Sequence, residues 1–226
     1  MEDIEAIAAL QDPVRRRLYE YVVGQGREVG RNEAAEAAGV ARTLAAHHLD
    51  RLVEAGLLEA GSRRLTGRSG PGAGRPAKVY TRAGTEWAVS LPARDYRTAA
   101  DLLAEAAEEA GLDATLCAAA RRRGEALRGS AAPCADLEEA VEMLAARGYE
   151  PHIEGAEETA AGADARVVRM RNCPFHAVAE RFPPLVCGMN LALLEGLFGT
   201  DGPVQARMDA RPGECCVMVT SKNNSH

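Results

Sequence analysis

Apolar residues recur at helical spacing in three segments near the start of the chain. The first helix is predicted to open at Asp12-Pro13, because Asp can cap free backbone donors and Pro is tolerated in the first turn, and to end at Gly24. A short helix is predicted over about 32–38, followed by a turn at Gly39. A third helix, VARTLAAHHLDRLVEAG, carries small and apolar residues on one face: Ala45, Leu49, Leu52 and Val53.

Two strand-like segments, LLEAGSRRLT and AKVYTR, come directly after this third helix. The stretch between them, GRSGPGAGRP, is too rich in Gly and Pro for regular structure, so the two strands are predicted to form a hairpin. The order helix, short helix, turn, helix, hairpin is typical of a winged helix-turn-helix. We therefore predict a winged helix-turn-helix domain over residues 1–90.

The pattern changes after the hairpin. Over residues 91–130, ARDYRTAADLLAEAAEEAG and LDATLCAAARRRGEALRG predict two Ala-rich helices, which suit a linker and dimerisation region. Over residues 131–226 the predicted order is helix, strand, strand, helix, helix, strand, strand. This order predicts an antiparallel sheet with helices on one face, so that the whole chain is an α+β protein with a separate C-terminal domain.

Composition narrows the classes of protein. The 226 residues are 46% hydrophobic and 27% charged, and no apolar run approaches the ~20 residues of a membrane span. The first ten residues, MEDIEAIAAL, are acidic, whereas a signal peptide begins with positive charge. We therefore expect a cytoplasmic protein with no membrane partner.

Charge is distributed unevenly along the chain. The net charge of −6 divides into +1 over residues 1–90 and −7 over the rest, and residues 40–82 hold eight basic and three acidic side chains. A basic hairpin beside a helix that fits the major groove suits double-stranded DNA. We predict DNA contacts from the third helix and the hairpin: Arg42, Thr43, Ala46, His47, Arg51, Arg68, Arg75 and Lys78. His48, beside the apolar face, is either packed or a further contact.

The six cysteines add a second candidate chemistry. Cytosolic thiols are normally kept reduced, so clustered cysteines indicate metal or redox chemistry before structural disulfides. Cys117, among alanines, and Cys134, in a turn, are interpreted as small packed residues. The other four lie in the last part of the chain: Cys173, Cys187, Cys215 and Cys216.

The surroundings of these four cysteines suit several interpretations. Cys173 is predicted at a strand-to-helix junction, directly before Pro174, where free N–H groups and the helix dipole favour a thiolate. The spacings lack Cys-x-x-Cys units and so exclude a zinc knuckle. Single ligands that are far apart in the sequence can still come together in the fold. Three thiolates suit an iron–sulfur cluster or zinc, and His176 could complete the set. On a strand Cys215 and Cys216 point to opposite faces, and the pattern does not choose between them. All four could also be core residues.

Two groups of motifs together resemble a known family over essentially the full length. ARTLAAHHLDRLVEAGLLEA and GRPAKVYTR resemble winged-helix regulators of the ArsR/DeoR type. With RNCPFHAVAERFPPLVCGMN and PGECCVMVT added, the chain resembles the SufR-type iron–sulfur-dependent repressors. The resemblance implies a homodimer with a [4Fe–4S] cluster on each subunit, held by Cys173, Cys187 and Cys215. One extra residue between the first two ligands, and the additional Cys216, leave the fourth ligand open: Cys216, His176 or a small exogenous molecule.

The resemblance implies a repressor, and not an enzyme, that binds an inverted-repeat operator and controls iron–sulfur cluster assembly genes. Loss of the cluster is expected to change the spacing of the DNA-binding domains and release the operator. Three alternatives stay open: a winged-helix regulator with structural zinc or a small organic ligand, a thiol oxidoreductase using the adjacent cysteines, and a dimer that acts through protein contacts. No general-base constellation accompanies the cysteines, which disfavours the oxidoreductase.

Overall fold

The computed structural model describes residues 2–63, 76–155 and 166–222. The chain is a mixed α+β protein with two small antiparallel sheets. It separates into two compact units, Met1–Arg94 and Asp95–His226. No helix in the described ranges is long and apolar enough to span a bilayer.

The first unit places helices beside a three-stranded sheet of order β1-β3-β2. Its described elements are α1 (Glu2–Ala9), α2 (Pro13–Gln25), β1 (Val29–Gly30), α3 (Arg31–Ala37), α4 (Arg42–Glu54), β2 (Leu58–Arg63) and β3 (Ala77–Arg82). Asp12 caps α2, since its Oδ1 accepts hydrogen bonds from the backbone N–H groups of Val14 and Arg15, both at 2.9 Å. The core is formed mainly by one stripe of each helix and by the inner face of the hairpin: Leu18, Val22, Ala45, Leu49, Leu52, Leu58 and Tyr80.

The second unit packs helices against a four-stranded sheet of order β4-β5-β7-β6. Its described elements are α5 (Tyr96–Glu109), α6 (Asp113–Arg128), α7 (Leu137–Ala145), β4 (Pro151–Glu154), β5 (Val167–Met170), α8 (His176–Ala179), α9 (Pro183–Phe198), β6 (Val204–Met208) and β7 (Val217–Ser221). The two Ala-rich helices predicted as a linker, α5 and α6, belong to this unit.

Two glycines bring helices α6 and α9 into backbone contact. A Cβ on Gly124 would lie 2.1 Å from the carbonyl oxygen of Leu193, and one on Gly196 would lie 2.2 Å from that of Arg121. Only glycine fits at either position, since real Cβ atoms do not approach within 3.0 Å of such atoms. The contact fixes α9, the helix that carries Cys187.

The predicted helices and strands are present, with differences at their ends. Helix α2 continues past Gly24 to Gln25 and is capped by Gly26, whose φ of 60° is left-handed. Helix α3 begins at Arg31 after Gly30, so Asn32 is not its cap. Helix α1 and strand β1 were not predicted. The tip of the hairpin, with the predicted DNA contacts Arg68 and Arg75, lies outside the described residues.

Candidate metal centre and nucleic-acid interface

Four thiols from three separate segments meet in the second unit. Cys173 follows β5, Cys187 lies in α9, and Cys215 and Cys216 directly precede β7. The Cys187 thiol donates a hydrogen bond to the Cys216 sulfur, with 2.8 Å between the two Sγ atoms. The Cys173 thiol donates to the Cys215 sulfur, and Cys187 lies close enough to interact electrostatically with Cys215. The thiols therefore form two adjoining pairs.

The group is largely shielded from solvent. Cys215 is 3% exposed and Cys187 is 8% exposed, while the other two are half-buried. Cys215 belongs to the main apolar core of the unit, and Cys173 packs against that core. A substitution in this group therefore also affects packing.

The negative charge of the group is stabilised at Cys215. The pKa of this thiol is lowered to about 7, because it accepts hydrogen bonds from Cys173, from backbone N–H groups and from Asn190. The hydrogen bond to Cys215, together with burial, raises the pKa of Cys173. Burial and the contact with Cys216 raise the pKa of Cys187 to about 12. Thiolate character was predicted at Cys173, and this prediction was wrong: the hydrogen bond with Cys215 and burial raise the pKa of this thiol and outweigh the Phe175 backbone N–H, which lowers it.

A buried amide links the thiol group to a tyrosine. The Asn190 Nδ2 donates a hydrogen bond to the Cys215 Sγ at 3.4 Å, and the Tyr149 hydroxyl donates to the Asn190 Oδ1 at 2.5 Å. Asn190 is 2% exposed, and burial raises the pKa of Tyr149. Neither residue was predicted from the sequence. Asn190 could have been found, because it lies three positions after Cys187 and therefore on the same side of α9.

The two protein candidates for a fourth ligand lie in different environments. Cys216 contacts Cys187 directly. The His176 side chain is 67% exposed, and its Nε2 lies 3.3 Å from a carboxylate oxygen of Glu180. The structure thus brings Cys216, and not His176, into contact with the other thiols.

The donor set fits a soft metal or an iron–sulfur cluster, since thiolates are the ligands that both prefer. Four sulfur atoms on one tetrahedral zinc are about 3.8 Å apart, given Zn–S bonds of about 2.3 Å. Among the described residues, no three cysteine sulfur atoms all lie within 4.8 Å of one another. The sulfur atoms are therefore not spaced as one zinc tetrahedron, and the 2.8 Å between the Cys187 and Cys216 sulfur atoms is shorter than between two thiolates on one metal, so the donor types and not the spacing indicate a metal or cluster.

The remaining cysteines lie apart from the candidate centre. The Cys134 thiol donates to the carbonyl oxygen of Asp136 at 3.3 Å, and burial raises its pKa to about 11. The sulfur of Cys117 on α6 would be 3.6 Å from a Cβ placed on Gly188 of α9. Both positions agree with packed residues.

The predicted DNA contacts on α4 lie mostly on its solvent side. Arg42, Thr43, His47 and Arg51 are exposed, and Ala46 is half-buried. Arg51 pairs with Glu54 on the same helix, with 2.8 Å between Nη1 and Oε2. Within the described residues, Arg42 has no hydrogen bond or ion pair, so its guanidinium is open to an anion.

Basic residues also line a groove between the start of α4 and the hairpin. This groove has a volume of about 1150 Å³ and is bordered by Arg27, Arg31, Arg42, Arg63 and Lys78, with two acidic residues among its other lining residues. Lys78 donates to Asp50 at 2.7 Å, and Arg31 donates to the Tyr80 hydroxyl at 2.9 Å. Several of these cations are thus held in place by neighbours.

His48 faces the interior of the first unit. It is 7% exposed, and burial lowers its pKa. Its ring meets that of His47 edge-on at 5.4 Å between centroids. Of the two interpretations left open, the structure places His48 as a packed residue.

No family model matches the chain, and no curated protein or solved structure matches it.

Proposed function

We propose that the chain is a cytoplasmic DNA-binding repressor with a winged helix-turn-helix in its first unit and a [4Fe–4S] cluster in its second. The observation that carries the proposal is the convergence of four thiols from three distant segments into one shielded group. Cys173, Cys187 and Cys215 would hold the cluster, and Cys216 is the favoured fourth ligand. When bound, the cluster supplies redox and oxygen sensitivity.

The first unit supports the DNA-binding part of the proposal. Helices α3 and α4 are joined by a tight turn at Gly39, with φ of 65°, and the hairpin β2-β3 follows. The N-terminal half of α4 offers exposed Arg42, Thr43 and His47. A recognition helix reads base edges with residues of this kind near its N-terminal end.

Exposed apolar residues of α5 support a homodimer. Tyr96, Leu102 and Leu103 are 74%, 61% and 73% exposed, and Ala104 on the opposite side is buried. Three large apolar side chains on one exposed helix are typical of an interface. The variant Leu103→Glu is expected to convert a dimer to a monomer in sedimentation velocity, with Glu105→Gln as a control on the same helix. A wild-type monomer would contradict the dimer.

The metal content tests the sensor proposal. Protein purified without oxygen is expected to be brown, to absorb near ~400 nm and to hold roughly four irons and four sulfides per chain. Cys173→Ser, Cys187→Ser and Cys215→Ser should each remove the absorbance, while Cys134→Ser should retain it. Whether Cys216→Ser or His176→Ala removes the absorbance decides which of these two residues is the fourth ligand. Colourless protein with about one zinc per chain would indicate a structural metal instead of the cluster. Colourless protein without metal would contradict both the cluster and the zinc site.

The salt dependence of binding tests the DNA-binding proposal. The affinity for a labelled duplex of mixed sequence should fall steeply with salt, and Arg42→Ala should reduce the logarithmic slope by about 0.9 if one phosphate contact is lost. Arg122→Ala on α6 is the control and should leave the slope unchanged. Binding without salt dependence would contradict a DNA-binding surface.

The coupling between cluster and DNA has a separate test. A ligand shifts an equilibrium only through differential binding, so operator affinity must differ between protein with and without the cluster. Operators can first be selected from random duplexes with the cluster-loaded protein. Equal affinity of the two forms for the selected sequence would exclude sensing while leaving DNA binding intact.

A further inference from the structure

A second group of potential metal ligands lies beside, and separate from, the four thiols. His152 and Glu154 are two positions apart on β4 and therefore share a face of the sheet. Glu214 reaches the same place from the turn that precedes Cys215. The His152 Nε2 lies 3.3 Å from Glu154 Oε1 and 3.6 Å from Glu214 Oε1.

These distances fit one cation. Ligand atoms about 2.1 Å from a metal, at tetrahedral or octahedral angles, lie about 3.0 to 3.4 Å apart. All three ligand atoms lie within 4.8 Å of one another, and no other such group of His, Cys, Asp or Glu exists among the described residues. The distance between His152 Nε2 and Glu214 Oε1 needs to shorten by only a few tenths of an ångström.

Arg211 holds Glu154 by its other oxygen, and Arg169 lies nearby. Arg211 Nη1 lies 2.9 Å from Glu154 Oε2, and the fully buried Arg169 places its Nε 3.9 Å from the same atom. Arg169 also pairs with Asp209, which balances its charge. Glu154 Oε1 is thereby left facing His152 and Glu214, in the manner of an outer shell that orients a metal ligand.

The local hydrogen bonding is incomplete in a way that a cation would correct. Glu214 Oε2 is buried and has no hydrogen-bond partner among the described residues; His152 Nδ1 is also buried and unpaired, but it lies on the far side of the ring from a metal at Nε2. Buried polar atoms are rarely left unpaired. A bidentate Glu214 would bring its Oε2 to the same cation.

We propose that His152, Glu154 and Glu214 form a binding site for one divalent first-row transition-metal ion. One imidazole and two carboxylates are harder donors than thiolates, so this site and the thiol group would select different metals. Because Glu214 directly precedes Cys215, an ion here would also fix the turn Arg211–Glu214 that leads into the Cys215-Cys216 pair.

Manganese(II) distinguishes this site from the thiols, since it prefers oxygen and nitrogen donors. The loss of the free-ion signal in electron paramagnetic resonance should show one Mn²⁺ bound per chain. Glu214→Gln and His152→Gln should each weaken binding at least tenfold. Glu138→Gln, which alters an exposed carboxylate paired with Arg166, is the matched control and should bind like the wild type.

The competing arrangement is a direct contact of His152 with the two carboxylates without a metal. In that case the wild type binds no stoichiometric Mn²⁺ at millimolar concentration, which would overturn the proposal. Equal weakening by Glu138→Gln would also overturn it, because the ion would then only neutralise surface charge. Far-UV circular dichroism of each variant without metal separates lost ligands from lost structure.

Discussion

The polar side chains with candidate functions are mostly exposed in the first unit and buried or half-buried in the second. Arg42, His47 and Arg51 point into solvent on α4, whereas Cys215 and Asn190 lie inside the second unit. A DNA-binding surface must exchange water for phosphates, while a thiol centre depends on packed neighbours that keep water out. Substitutions in the first unit should therefore change function with little loss of stability, and substitutions in the second should change both.

The largest expected loss of stability comes from a substitution at the contact between α6 and α9. Gly124→Ala places a Cβ against the Leu193 carbonyl oxygen and should destabilise the second unit by about 3 kcal/mol or more. The midpoint of urea unfolding followed by circular dichroism should shift to lower urea. The fluorescence of Trp87, the single tryptophan, should show an unchanged midpoint for the first unit.

The matched control for this prediction is Gly188→Ala on α9. A Cβ there would meet the Cys117 sulfur at an ordinary 3.6 Å, so stability should change by no more than about 1 kcal/mol. Equal shifts of both probes in Gly124→Ala would show that the two units unfold together. The contrast between the units would then not hold for stability.

The next largest effect is a thiol-linked loss of stability at high pH, which only the second unit should show because all the cysteines lie there. The pKa of the buried Cys134 is raised from 9.0 to about 11. Above pH 9 the unfolded thiol ionises and the folded thiol does not, so the unfolded state binds fewer protons and stability falls. The expected slope is about 1.4 kcal/mol per pH unit, up to about pH 11.

All six cysteines lie in the second unit, so Trp87 fluorescence should not detect a thiol contribution. Cys134→Ser should remove this part of the slope in unfolding followed by circular dichroism. Cys215, with its pKa lowered to about 7, has the opposite sign and adds stability between about pH 7 and 9. An unchanged slope in Cys134→Ser would contradict the assigned burial of this thiol.

The order of helices and strands could be predicted because its signals are local. Asp12-Pro13 opens α2, and glycines end several helices. Strand β1 could not be found this way, since two residues form a strand only by pairing with β3 across fifty positions of chain. Helix α1 was missed because its acidic sequence offers no cap.

The convergence of the thiols could not be predicted from local sequence patterns. It depends on β5 and β7 being neighbours, with Val168 opposite Val219, which brings Cys215 to the end of β5. The motifs identified the four cysteines as a group. They did not show that Cys187 would meet Cys216, or that Cys215 would carry the lowest pKa.

A smaller effect is expected from the buried hydrogen bond beneath Cys215. Tyr149→Phe removes the donor to Asn190 Oδ1 and leaves that atom buried and unpaired, at a cost of about 1 to 2 kcal/mol. The comparison is Tyr21→Phe in the first unit, where the hydroxyl bonds to Glu33 at a partly exposed position and should matter less. Thermal unfolding of both variants measures the difference. A larger loss in Tyr21→Phe would reverse the contrast between the units.

The smallest expected effect on stability, and the sharpest test of the contrast, is at Arg51. Its pair with Glu54 is exposed on both sides, so Arg51→Ala should change the unfolding free energy by less than about 0.5 kcal/mol. Under the proposed function the same variant weakens DNA binding, because a phosphate contact is lost. Glu54→Ala breaks the same pair but frees the arginine, so it should match Arg51→Ala in stability and bind DNA more tightly than the wild type. If the two variants instead change DNA affinity in the same direction, Arg51 does not face the phosphates. Arg42 would then be the one arginine of α4 that could position this helix on DNA.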